Sequence, residues 1–430
     1  MRERIASNDG IWLQDSATNL MVINSVIVTD RLDLETLRRT FQRRVFEGPE
    51  PGRFERLRCR ITGTGLLRYW ERDPDFDVSR HIVAARGENL HSLEAVQAYV
   101  GREAGVKLPR DRPRWEMQVI EGFEDDATAV LVRVHHSIAD GMALISLMFA
   151  LMDESWNRQD GVAKGSVRPS AGAMLLGRLL RAVVIPLSAP GILLRRLAWR
   201  PDRSHLHGPA LSGRKRVAWT KPVDLELIKQ AKNHFGATVN DVLMAAVAGA
   251  FSMYLERHGQ APPDRFRVSM PVNVRHPGKP LRCENHFAAV PIELPAGPGP
   301  LHLRIQAVKT KMDELKRSIA PLVVYRLQRT LLAFLPKAVS RGLIDFLANK
   351  CTAVVTNVPG PAGDIRLEGR RVRSILFWVP QRARIGVGIS ILSFAGKVQV
   401  GVMADEALMP DPAALVDAFE EEFEALRKLL

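Results

Sequence analysis

Two adjacent histidines, His135 and His136, precede Asp140-Gly141 by a short spacer in the run HHSIADG. Imidazole is the side chain best suited to take up and return a proton near neutral pH. A histidine within reach of a hydroxyl can therefore make a poor nucleophile competent. Neighbouring residues on a strand point to opposite faces, so one of the pair can face a channel while the other packs behind it. Asp140 falls where a helix would start and can cap it, and Gly141 tolerates close backbone packing. A zinc site fits the spacing poorly: the histidines are adjacent, not four apart on a helix, and no Cys or Glu ligand set lies near. No GxSxG turn offers a serine nucleophile, and Cys59, Cys283 and Cys351 lie outside the motifs.

The flanking chain must position this pair. Val130, Val132 and Val134 alternate with Leu131 and Arg133, which predicts a strand with a buried face. The apolar run from Met142 to Met152 has helical length and closes a first domain, 1–160. Upstream lie Asn8-Asp9, Trp12-Leu13 and an extended run over 21–28. Apolar spacing predicts helices over 30–46 and 92–104 and strands over 57–70 and 76–83.

Residues 161–216 change character: they are rich in Lys and Arg, with Asp202 as their one acid. Their apolar runs are broken by Arg181, Pro186 and Pro190. This predicts a basic amphipathic crossover of one or two short helices. Arg178, Arg181, Arg195 and Arg196 would meet lipid phosphates, or else these helices pack on the protein and the arginines are merely solvated. A second domain, 217–430, is predicted to hold helices over 224–235, 238–258, 301–318 and 321–347, and one opening at Asp411-Pro412. Strands are predicted over 216–219, 266–271, 288–294, 353–358, 374–380, 385–394 and 398–404. Strands and helices alternate in both halves, so the class is α/β.

Composition narrows the functions. The 430 residues are 46% hydrophobic and 25% charged, the balance of a globular chain with room for two cores. A net charge of +14 implies an anionic partner: nucleic acid, an anionic membrane surface, or a phosphate-rich ligand such as CoA. The basic residues of the crossover sit among apolar ones without a nucleic-acid motif, so no nucleic-acid partner is expected. Three scattered cysteines suit a reducing cytoplasm. The polar start lacks the core of a signal peptide, and no apolar run is long enough to span a bilayer.

HHSIADG resembles the HHxxxDG motif of CoA-dependent acyltransferases. Along nearly the whole chain the sequence is similar to the bacterial wax ester synthase/diacylglycerol acyltransferase family. Pro113-Arg114-Trp115 looks like the family's Pro-Leu-Trp, and Asn240-Asp241 matches its Asn-Asp. Pro271 to Arg275, PVNVR, resembles a family signature. Thr356 to Pro361, TNVPGP, is similar to SNVPGP, and Glu284-Asn285 stands where the family has Gly-Asn. The resemblance implies two chloramphenicol-acetyltransferase-like α/β domains joined by the crossover, with the active-site channel at their interface. It implies acyl transfer from acyl-CoA to a long-chain alcohol or diacylglycerol, with His136 as general base, no covalent acyl-enzyme, and no cofactor, acyl-CoA being a substrate. It also suggests an Asp–Arg pair shaping the turn, with Arg275 the candidate partner of Asp140.

Other roles stay open. His135 orients or packs. Asn273 donates to an oxyanion or fixes a turn. Asn240 and Asp241 cap a helix or touch ligand. Thr356 and Asn357 form a rigid loop or contact substrate. The expected location is cytoplasmic, peripheral to the inner membrane face or lipid droplets. The rival readings are another acyltransferase or condensation enzyme of the superfamily, and a non-catalytic lipid-surface binding protein.

Overall fold

The computed structural model describes residues 2–50, 52–65, 67–154, 187–202, 204–208, 210–275, 281–297 and 299–430. Half of the crossover expectation, including Arg178 and Arg181, lies outside the described residues.

Two large sheets dominate. The first runs, in spatial order, Arg366–Leu367, Arg370–Trp378, Val22–Thr29, Ala127–His135, Trp115–Phe123 and Ile82–Ala84. The second runs Phe287–Pro295, Arg265–Asn273, Ala353–Pro359, Val387–Phe394, Lys397–Asp405 and Lys215–Trp219, with Val223–Asp224 also pairing Lys397–Asp405. The Ala353–Pro359 strand is parallel to both its neighbours, and the other pairings of this sheet are antiparallel. Helix Val239–Arg257 is buried along most of its length against this sheet, and Pro412–Lys428 packs beside it.

The division at 216/217 does not separate the sheets. Arg370–Trp378, from the second half, pairs antiparallel with Val22–Thr29 of the first, from Thr29↔Val372 to Asn24↔Trp378. Alternation of side chains fixes which face of a strand is buried but not which strand lies beside it. Val22–Thr29 would otherwise be an edge with a row of unpaired backbone groups. The halves are also clamped where helix Leu93–Ala104 lies on Lys215–Trp219. A Cβ on Gly101 would stand 2.5 Å from the Lys215 carbonyl oxygen, so this approach requires glycine.

The helix predicted over 321–347 is two helices, Ala320–Phe334 and Lys337–Ala348. Pro336 supplies no N–H and biases Leu335 out of the helical region, which breaks the run there. The 30–46 expectation starts at Leu34, with the Asp33 carboxylate accepting from the Thr36 N–H, and its last turn widens to a π-helix over Gln42–Phe46. The 76–83 expectation resolves into a short 3-10 turn, Val78–Arg80, and strand Ile82–Ala84.

Candidate active site

The HHSIADG segment turns from the Ala127–His135 strand into helix Gly141–Leu151. His135 ends the strand with its side chain buried away from the cavity. Its Nδ1 is 2.8 Å from the Ser137 hydroxyl and its Nε2 is 3.4 Å from the Asp15 carboxylate. Asp15 also accepts from the Met21 N–H, and the Met21 carbonyl accepts from the His136 N–H at 2.7 Å. His135 thus anchors the segment that holds its neighbour.

His136 lines an apolar cavity of about 300 Å³. Trp12 stacks on its ring with centroids 3.9 Å apart and planes 10° apart, and Phe287 lies at 5.4 Å. The Asn285 Nδ2 donates to Asp9 Oδ1 at 2.9 Å and to the His136 carbonyl at 2.8 Å. That fixes the amide, so its Oδ1, 2.9 Å from His136 Nδ1, must accept. The proton therefore sits on Nδ1 and the Nε2 lone pair is free to act as a base. Asp9 is itself held by Arg56 at 2.8 Å. The result is a buried chain, Arg56–Asp9–Asn285–His136, in which an amide stands between carboxylate and imidazole.

Burial pulls His136 down from 6.5 to about 4, and burial also lowers His135. The free imidazole is therefore neutral throughout the physiological range. We expect the acidic limb of kcat/KM to fall near pH 4, not near 6.5. Between those pH values the unfolded chain binds a proton at this position that the folded chain does not, so lowering the pH through the window costs stability. A kcat/KM profile with an acidic limb near 6.5 would show the imidazole to be solvated.

Asp140 fills both roles open to it. Its Oδ1 accepts from the Ala143 N–H at 3.1 Å, capping the helix. Its Oδ2 accepts from the His286 N–H at 2.9 Å and pairs with Arg275 Nη1 at 2.6 Å. Arg275 also donates to the Glu284 carbonyl at 2.6 Å, so the pair pins the segment carrying Asn285 beside the histidine. Gly141 departs from the close-packing expectation: nothing lies within 4 Å of a Cβ built there. It opens on the cavity instead, and with Met142 it brings the first turn of the helix to the cavity wall. First-turn N–H groups have no partner inside their own helix. None of the described residues accepts from the N–H of Gly141 or Met142.

The remaining expected residues divide. Asn273, Arg275, Thr356 and Asn357 line the cavity. Asn273 Oδ1 accepts from the Arg275 N–H at 3.0 Å, so it fixes a turn while facing the cavity. Asn240 stands behind the wall, accepting from Asn357 Nδ2 at 3.1 Å. Asp241 is fully buried in a capping box with Thr238. Asn285, Asp9 and Trp12 were not assigned roles from the sequence. The only signals were Glu284-Asn285 in the family pattern and an Asn-Asp…Trp run near the start.

Replacing Asn285 by Leu should free the ring to turn and remove its tautomer control. The expected outcome is a fall in kcat of roughly tenfold to a hundredfold, the worth of one or two hydrogen bonds in a buried site. Single-turnover rates would check it, and an unchanged kcat would exclude Asn285 from positioning the base.

A histidine with a free lone pair at the seam of two such α/β halves, opening on an apolar cavity, defines a general base poised beside an apolar substrate. The wax ester synthase/diacylglycerol acyltransferase catalytic-domain model matches residues 8–171, and the WS/DGAT C-terminal-domain model matches 283–427. The chain belongs to this family. It is 27% identical over 403 residues to a probable diacylglycerol O-acyltransferase of Mycobacterium tuberculosis, covering 85% of this chain and 82% of that one. Its fold is similar to that of the wax ester synthase/diacylglycerol acyltransferase from Marinobacter aquaeolei. There the TM-score is 0.71 at 20% identity, with 99% of each chain covered. It is also similar to a mutant starter condensation domain of rhizomide synthetase solved with C8-CoA and Leu-SNAC. That match has a TM-score of 0.62 at 13% identity and covers 100% of this chain and 94% of that one. The two-domain α/β architecture expected from the sequence is thereby shown.

Proposed function

We propose that this acyltransferase moves a fatty acyl group from acyl-CoA to the hydroxyl of a long-chain alcohol or diacylglycerol. The observation that carries the reading is His136: buried, neutral, its Nε2 free and facing an apolar cavity. The imidazole takes the hydroxyl proton as the oxygen attacks the thioester carbon. The tetrahedral oxyanion is met by the Gly141 and Met142 N–H groups at the helix N-terminus. The C–S bond then breaks, the CoA thiolate leaves, and the imidazolium returns its proton to the sulfur. Trp12 and Phe287 keep water from the thioester. Incubating purified protein with palmitoyl-CoA and either hexadecanol or a diacylglycerol tests this: ester should form with stoichiometric release of CoA thiol. Thiol release without ester, or no turnover with either acceptor, would overturn it.

Such acceptors reside in lipid, and the surface over the cavity suits one. Helix 187–198 turns Ile192 and Leu193 inward and leaves Leu187 and Leu194 exposed. Lys337–Ala348 turns Leu343 and Leu347 inward and leaves Val339 and Phe346 exposed. Each exposed pair is seven residues apart, so it lies on one helix face. Exposed Arg195, Lys337 and Arg341 accompany them. We therefore place the enzyme peripherally on an anionic lipid surface, on the cytoplasmic face of a membrane or on a lipid droplet. Changing Leu187, Leu194, Val339 and Phe346 to Ser should reduce co-sedimentation with anionic liposomes, and unchanged binding would remove these helices from the contact. Arg196, expected on the lipid-facing side, instead lines the cavity.

A further inference from the structure

Four cations line the cavity: Arg196, Arg275, Lys350 and Arg382. Two have acids, Arg275 with Asp140 at 2.6 Å and Arg382 with Asp345 at 2.8 Å. The other two have no carboxylate partner among the described residues. Arg196 lies beside Cys351, and burial pulls its guanidinium down to about 10. Lys350 has its ammonium 3.9 Å from the centre of the Phe346 ring. Cationic groups set against an apolar wall without counter-charge are costly to keep. A bound anion would remove that cost.

Their position says which anion. Ser269, Pro271 and Asn273, alternate residues of one strand, line one wall. At one end of this wall Asn273 pairs with Phe287, which lies against His136. At the other, Val268 pairs with Ala353, two residues beyond Cys351, and Arg267 stacks on Trp199 at 4.9 Å. Val268 to Asn273 is five residues of strand, roughly 16 Å. The phosphopantetheine arm of CoA has about thirteen bonds between sulfur and phosphorus. That equals roughly four residues of extended chain, or about 15 Å. A thioester at His136 therefore sets the first phosphate at the Arg196–Lys350 end, with Ser269 and Asn273 along the way to meet the arm's two amides. The exposed residues Arg195 and Arg200 flank that end.

We propose that Arg196 and Lys350 form a phosphate-binding end of the cavity that receives the CoA moiety of the acyl donor. This rests on the acyl-CoA reading above. The shared chemistry is phosphate, which a phospholipid headgroup could also supply, and the length match favours CoA.

Arg196→Met keeps the stem and removes the charge. It should raise KM for palmitoyl-CoA about tenfold or more, the loss of a charged hydrogen bond, with little change in kcat. KM for palmitoyl-pantetheine, which has no phosphate, should shift less than about twofold on the same scale. Free CoA should raise the melting temperature of the parent protein and not of Arg196→Met. Lys350→Met should repeat the pattern more weakly. Equal KM losses with both thioesters, or none with either, would overturn the proposal. So would a loss of binding to phosphatidate vesicles with KM for palmitoyl-CoA unchanged, which would assign the phosphate to lipid. Failure of the parent protein to turn over palmitoyl-CoA, with palmitoyl-pantetheine accepted, would count against this site. Failure with both donors would count against the acyl-transfer reading itself.

Discussion

His136→Ala is expected to lower kcat by about a thousandfold or more, the upper range for loss of a positioned general base. His135 is turned away and held by Ser137 and Asp15, and no other histidine lines the cavity among the described residues. Rapid-quench measurement of ester formation with palmitoyl-CoA and hexadecanol reads the effect directly. A circular dichroism melt separates it from loss of fold, since the deletion leaves a hole beside Trp12 that costs some stability. His135→Ala should act differently, through melting temperature first, because its ring supports the turn and does not meet substrate. If His136→Ala retained turnover within tenfold of the parent, the base would have to be sought elsewhere.

Asp140→Ala is expected to be the most destabilising single change at the site, by about 3 to 5 kcal/mol. It leaves Arg275, whose side chain is only 10% exposed, without its counter-charge. The Ala143 and His286 N–H groups lose an acceptor as well. Asp140→Asn should cost less, because its carbonyl oxygen can still cap the helix. The double variant Asp140→Ala, Arg275→Met should recover part of the loss, since the orphaned charge goes with its partner. Urea unfolding of the parent, Asp140→Ala, Arg275→Met and the double variant gives the cycle. A double variant no more stable than Asp140→Ala alone would mean that the cap, not the ion pair, carries the residue's weight.

The chemistry-bearing part of this site was largely legible because it is local. His136, Asp140 and Gly141 lie within one short run, and strand alternation already separated the two histidines. Arg275, 135 positions further along, was reachable only through the family pattern PVNVR. What sequence could not show was what holds the base. Asp9 and Asn285 are 276 residues apart in sequence, and nothing in either neighbourhood points to the other. Arg196 was misplaced for a related reason: helical spacing gives the faces of a helix but not which of them turns to a cavity. The break at Pro336 was legible in principle, since proline inside a helical pattern is itself a stop signal.

The strand Arg370–Trp378 carries a consequence for how the chain is made. During synthesis Val22–Thr29 emerges hundreds of residues before its partner. At roughly 5 to 20 residues per second, it waits on the order of twenty seconds to a minute with one side unpaired. For that interval the nascent first half presents an open strand edge of unpaired backbone groups, the kind that recruits neighbouring chains. Chaperone demand and loss to aggregation should therefore concentrate in chains stopped before residue 370, and a ribosome pause just upstream of it would prolong the hazard.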